Sequence, residues 1–222
     1  MMKKVLLVCG ILSSLLYVAM NVFIPMQWEG YSSASQTVSE LSAIGAPTRS
    51  LWVPLGIAYA LLVTAFGWEV WVLGRRTPPL RVVGGLMVTC GVISLVWPLA
   101  PMHLRGAEST LTDTMHIVFS IATVLAMMLA IGFGGAAFGP RFRLYSIVIM
   151  VILVVFGALT GLDGPRIAAN LPTPWVGVWE RMNIGVFLLW VVVLAITLLR
   201  HVTSPSQGLD RSPAGTILGH SL

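Results

Sequence analysis

Six stretches of about 20 residues in this chain are almost wholly apolar, and the polar residues collect between them. The stretches cover residues 5–26, 51–73, 82–100, 115–138, 144–162 and 176–199. A helix that crosses the hydrocarbon core of a bilayer needs about 20 apolar residues. The runs are continuous, whereas the strands of a membrane barrel alternate apolar and polar positions. The pattern predicts an all-α, polytopic transmembrane helix bundle of about six spanning helices within residues 1–202. Ser, Gly and Pro dominate residues 203–222 without any apolar period, which predicts a disordered cytoplasmic tail.

The first apolar run follows Lys3 and Lys4, as in a signal peptide. It is longer than a usual signal core, and no A-x-A site follows it, so a retained helix is expected. Orientation follows from Lys and Arg, which favour the cytoplasmic side. Lys3, Lys4, Arg75, Arg76, Arg81, Arg141, Arg143, Arg200 and Arg211 fall on one side of the six spans. Arg49, Arg105, Arg166 and Arg181 fall on the other. Both termini are therefore expected in the cytoplasm, with the protein in the cell membrane. Trp28, Trp52, Trp97, Trp175 and Trp179 fall near the outer boundary, and Trp68 and Trp71 near the inner one. This is the distribution of interfacial aromatic belts.

Composition agrees with a lipid environment. Of the 222 residues, 57% are hydrophobic and 9% charged, against about 25% charged in an average soluble domain. The net charge of +5 sits in short clusters between apolar runs. Such clusters read as topology signals and contacts to anionic headgroups, so the bilayer is the expected partner and nucleic acid is not. Cys9 and Cys90 lie inside apolar runs with no CxxC spacing, which argues against a disulfide framework or a structural zinc site.

Candidate chemistry collects on the predicted outer side, where Glu29, Glu40, Glu108, Asp113, Asp163 and Glu180 lie. Only Glu69 and Asp210 belong to the inner side. In the first outer loop Thr37-x-x-Glu40 has the form of a capping box. Val38, Leu41 and Ile44 continue at helical spacing until Gly45 and Pro47. A short amphipathic surface helix is expected there. Asp113-x-x-His116 opens the fourth span, and residues three apart share a helix face. A carboxylate beside an imidazole can orient a base or hold a metal, which makes Asp113 and His116 the catalytic candidates, with His103 close in sequence. The competing reading has Asp113 as a helix-start residue favoured by the dipole and His116 as an interfacial polar residue. One such pair does not complete a metal site, and the sequence names no cofactor. Glu40, Arg49, Asp163, Arg166, Glu180, Arg181 and Asn183 are the candidates for substrate binding. A structural alternative pairs Arg181 or Arg166 with Asp163, Asp113 or Glu40, because charges near lipid are costly unless paired or hydrated.

Three separated motifs carry a family resemblance. They are Ser39-Glu40-Leu41-Ser42 with Gly45-Ala46-Pro47-Thr48-Arg49, the Asp113-x-x-His116 helix start, and Trp179-Glu180-Arg181-x-Asn183-Ile184-Gly185 ahead of Leu189-Trp190-Val191. In these the chain resembles the bacterial membrane family catalogued as domain of unknown function 998. The resemblance covers roughly residues 5–200 and implies a six-helix membrane bundle without supplying an activity. A more distant comparison is with membrane hydrolases that include the alkaline ceramidases, which hold zinc with Ser, Asp and three His. This chain has Asp113 and His116 but no HxxxH in its last span, and His201 and His220 fall at or beyond the inner end. That ligand set is incomplete, so no catalytic residue carries over.

Three functions follow from the sequence. The first is a membrane protein with an outward polar pocket that binds or modifies a lipid or small amphiphile. The second is a small-solute or ion transporter, although the middle of the bundle is nearly free of ionisable groups. The third is an accessory or structural subunit of a membrane complex, in which the outer charges lock the loops together.

Overall fold

The computed structural model describes residues 2–203. Six long helices are present: α1 (Met2–Phe23), α2 (Arg49–Leu73), α3 (Pro78–Val96), α4 (Leu111–Ala137), α5 (Pro140–Leu162) and α7 (Val176–Thr203). A short helix, α6 (Gly164–Ala168), follows α5. The six are long and apolar enough to cross a membrane, and the chain is a multi-pass membrane protein. Six crossings return the last helix to the side where the first began. The predicted tail, apart from Thr203 at the end of α7, lies outside the described residues.

The principal helix contacts join α1 to α2, α2 to α3, α3 to α4, α4 to α5, α5 to α7, and α7 back to α1. The bundle is a closed ring in chain order. Local chemistry sets the helix starts. Prolines open α3 and α5, where a missing N–H costs no helical bond. A capping box of Thr110 and Asp113 opens α4 at Leu111, four residues earlier than the hydropathy pattern alone predicts.

At one end the links are short and basic; we call this the basic face. At the other, the loop face, three longer segments join the helices. The larger apolar core lies among the helices and includes Phe66, Met87, Ile131, Phe187 and Trp190. Close helix approach depends on glycine. A Cβ on Gly84 would stand 2.2 Å from the backbone nitrogen of Trp71, so α2 and α3 touch backbone to backbone. A Cβ on Gly134 would stand 2.4 Å from the Trp190 ring, so the indole fills the space that Gly134 leaves on α4. The ring nitrogen of Trp190 donates to Ser146 Oγ on α5 at 3.1 Å. Leu12, Leu15, Val18 and Val22 on α1 and Ile147, Val148, Val151 and Val155 on α5 point outward. An apolar exterior of this kind is stable against lipid tails and not against water.

The expected surface helix at residues 38–44 is instead a single 3-10 turn, Ser39–Ser42. Val38 and Leu41 pack with Met20, Ile24 and Trp52 at the ends of α1 and α2. Ala43 is already extended, and Ile44 N donates to Met102 O at 2.8 Å. That backbone pairing to the next loop takes the bond a longer helix would have needed.

Candidate functional site

Glu40 is the most enclosed charged residue on the loop face, with 0% exposure. Its carboxylate is held from two directions. Arg105, from the loop between α3 and α4, donates through Nε to Oε1 at 2.6 Å and through a terminal nitrogen to Oε2 at 2.9 Å. Thr37 donates its backbone N–H at 2.6 Å and its hydroxyl at 3.0 Å to Oε2. A bidentate guanidinium–carboxylate pair combines charge and fixed geometry. Hydrogen bonds to Glu40 raise the basicity of Arg105 above its ordinary value, against the opposing effect of burial. Arg105 also donates to Ser35 O and Thr173 Oγ1, each at 2.9 Å, and Thr173 in turn donates to Ser35 O at 2.9 Å. One arginine therefore ties the first loop, the α3–α4 loop and the segment before α7.

The start of α7 makes a second set of ties. Glu180 accepts from the backbone N–H of Val38 and from Ser39 Oγ at 3.3 Å. Arg181 donates to Ser33 O at 2.8 Å and to the Tyr31 hydroxyl at 2.8 Å, and Tyr31 donates to Thr37 O at 2.7 Å. Burial pushes the Tyr31 hydroxyl up to about 12, despite the neighbouring Arg181 charge. Gly177 makes this approach feasible. Its N–H donates to Ala34 O at 2.9 Å, and a Cβ there would stand 2.2 Å from Gln36 O.

Asp113 and His116 do not bond to each other. Asp113 accepts from His103 N at 2.7 Å and lies 2.8 Å from His103 Nδ1. It also accepts from Thr110 N at 2.8 Å. The carboxylate thus caps α4 and fixes the loop ahead of it. His116 is buried, with Nδ1 3.0 Å from Ala100 O and its ring edge-on to Trp97. A carbonyl only accepts, so Nδ1 carries a proton, and in the neutral ring Nε2 is left as an acceptor. Nε2 is buried without a partner.

The other candidates are dispersed. Arg49 donates to Ser42 O. Asp163 and Arg166 form a looser pair at 3.8 Å, and Arg166 donates to Pro172 O at 2.8 Å. Asn183 lies deeper, where its amide donates to Leu153 O on α5 at 2.7 Å. Gly157 packs on Asn183 and Gly135 on Ser146, while Gly139 and Gly161 are open. Among the described residues no three His, Cys, Asp or Glu side chains gather as a metal site. The pairing alternative anticipated Asp163–Arg166 but not Arg105 as the partner of Glu40. Its signal was available: Arg105 is the one cation in a segment that also carries Glu108 and Asp113.

Fold and site define a multi-pass helical membrane protein whose loop segments are clasped over one end of a six-helix ring. A family model described as "Protein of unknown function (DUF998)" matches residues 11–197, and the chain belongs to that family. No curated protein and no solved structure matches it.

Proposed function

We propose that the protein is an accessory or structural membrane subunit, with the polar loop-face residues serving as a clasp. The observation that carries this reading is the complete enclosure of Glu40, whose two oxygens are taken by Arg105 and Thr37. A catalytic or headgroup-binding carboxylate needs a free oxygen on an accessible side. Here those lone pairs hold loops together, and the outward apolar helix faces are the surface offered to other membrane components. The Lys and Arg distribution supports a cell-membrane protein with the basic face and both termini in the cytoplasm.

One observation favours a second reading, in which the loop face binds a lipid or small amphiphile. The buried Nε2 of His116 has no partner, and an unpaired buried acceptor costs about 1–3 kcal/mol. A ligand hydroxyl or ammonium group would satisfy it. On this reading Asp113 acts only through His103 and the α4 cap.

Crosslinking in native membranes followed by native mass spectrometry decides between them. The accessory reading expects a stoichiometric protein partner whose capture is unchanged by His116→Ala. Lack of any such partner sinks it. A small ligand retained by the wild type and lost in His116→Ala, without loss of thermal stability, moves the assignment to the second reading.

A further inference from the structure

The basic face holds a groove that the clasp does not explain. It has a volume of about 540 Å3 and lies between the α4–α5 link and the last turns of α7. Phe138, Phe142 and Tyr145 form its aromatic lining, and Arg141 and His201 line it too. The hydroxyl of Tyr145 is buried without a hydrogen-bond partner among the described residues. Arg141 is exposed and belongs to none of the three ion pairs among the described residues. Arg143, by contrast, folds back onto Gly135 O at the end of α4.

We propose that this groove binds the phosphate headgroup of an anionic phospholipid. Three features select that ligand. The first is charge: this end of the bundle carries Lys3, Lys4, Arg75, Arg76, Arg81, Arg141, Arg143 and Arg200, and among the described residues its only acid is Glu69, which is buried in α2. Among the described residues no acid forms an ion pair with Arg141. The second is the start of α5. Pro140 stands at its first position, and the N–H groups of Arg141 and Phe142 have no intrahelical acceptor there, as in any first turn. Together with Arg141 they offer an anion both charge and directed donors. The third is position. The groove opens where α5 begins and α7 ends, beside the outward apolar side chains Leu144, Ile147 and Val148. A headgroup seated by Arg141 and His201 leaves its acyl chains along this apolar side of α5. A soluble phosphate would gain nothing from that apolar flank. This site stands at the opposite end from the clasp and does not depend on its assignment.

The test is native mass spectrometry of the full chain in detergent, titrated with phosphatidylglycerol and, separately, with phosphatidylcholine. Phosphatidylglycerol should bind at least about 5-fold more tightly. A Lys or Arg near an anionic surface contributes about 1 kcal/mol, so Arg141→Gln with His201→Gln, which removes that charge and a ring donor, should weaken it about 5-fold or more. Arg75→Gln with Arg76→Gln, on the same face but outside the groove, should change it less than 2-fold. Equal losses in the two double variants would mean a diffuse basic surface and overturn the site. Equal affinity for the two lipids would mean that only the acyl chains bind, which also overturns it. Displacement of phosphatidylglycerol by millimolar inorganic phosphate would reassign the groove to a soluble anion.

Discussion

The two ends of the bundle are held by different physics. At the loop face, segments of irregular backbone are tied by directed polar contacts: Arg105 to Glu40, Thr173 and Ser35, Arg181 to Ser33 and Tyr31, and Glu180 to Val38 and Ser39. Toward the basic face the links shrink to a few residues, and the helices meet through glycine contacts and large apolar side chains such as Phe66 and Trp190. In lipid the apolar core gains little from leaving its solvent, since tails are as apolar as leucine; close packing supplies the attraction. The loop segments have only a small apolar cluster of their own, so ion pairs and hydrogen bonds must fix them. The difference teaches where damage should be severe: loss of one charge at the loop face, loss of shape in the core.

The largest effect is expected from Arg105→Ala. It leaves Glu40 buried and uncompensated, and breaking a buried pair in this way costs about 3–5 kcal/mol. Removing both charges, as Glu40→Gln with Arg105→Gln, should cost less than Arg105→Ala alone, because no charge is stranded. Chemical unfolding in micelles measures both. If the double variant is the less stable, the clasp does not work through charge compensation.

Trp190→Ala tests the other end. The indole is fully buried against Gly134 and bonded to Ser146. In a soluble core an aromatic-to-alanine change costs about 3–5 kcal/mol. In lipid the transfer part shrinks, which leaves about 2–3 kcal/mol of lost packing. Adding Gly134→Ala should recover part of that loss in the Trp190→Ala background and be damaging in the wild type. Additive losses would show that the two positions do not share one space.

The fold was legible in the sequence because spanning helices write themselves as apolar runs, and all six were placed to within a few residues. The turn at residues 39–42 was not. Val38, Leu41 and Ile44 have helical spacing, yet the bond that ends the turn comes from Met102, far along the chain. The site was half legible. The surplus of acids on one side pointed to the loop face, and Thr37-x-x-Glu40 correctly joined those two residues. Asp113 and His116 share a helix face, but each is captured by the preceding loop: one by His103, the other by Ala100 O. Spacing within a helix carries no information about a loop that folds back on it.

Tyr31→Phe should have a smaller effect at neutral pH, about 1 kcal/mol for the lost hydrogen bonds. Its value is in the pH dependence. The tyrosine ordinarily ionises near 10, and burial moves it up to about 12 in the folded protein. A raised folded value favours the protonated fold. The stabilisation is therefore complete below pH 10 and is lost as the pH climbs toward 12. Wild type should lose stability over that window more steeply than the phenylalanine variant, in unfolding curves taken at a series of alkaline pH values. Parallel curves would mean that the phenol is solvated and the loop less closed than its contacts imply.

Arg166→Ala should have the smallest effect, below about 0.5 kcal/mol. Arg166 and Asp163 have the same chemistry as Arg105 and Glu40 and lie on the same face. They differ in setting. The Arg166 side chain is 50% exposed and 3.8 Å from its partner; the Arg105 side chain is 16% exposed and 2.6 Å from a wholly enclosed carboxylate. Water or headgroups can replace the lost arginine at Asp163, and salt screens such a pair. At Glu40 neither can enter without opening the loops. The ratio of the two alanine effects therefore measures burial rather than charge. Comparable losses would mean that the loop face is wet throughout and that Glu40 is held no more firmly than a surface acid.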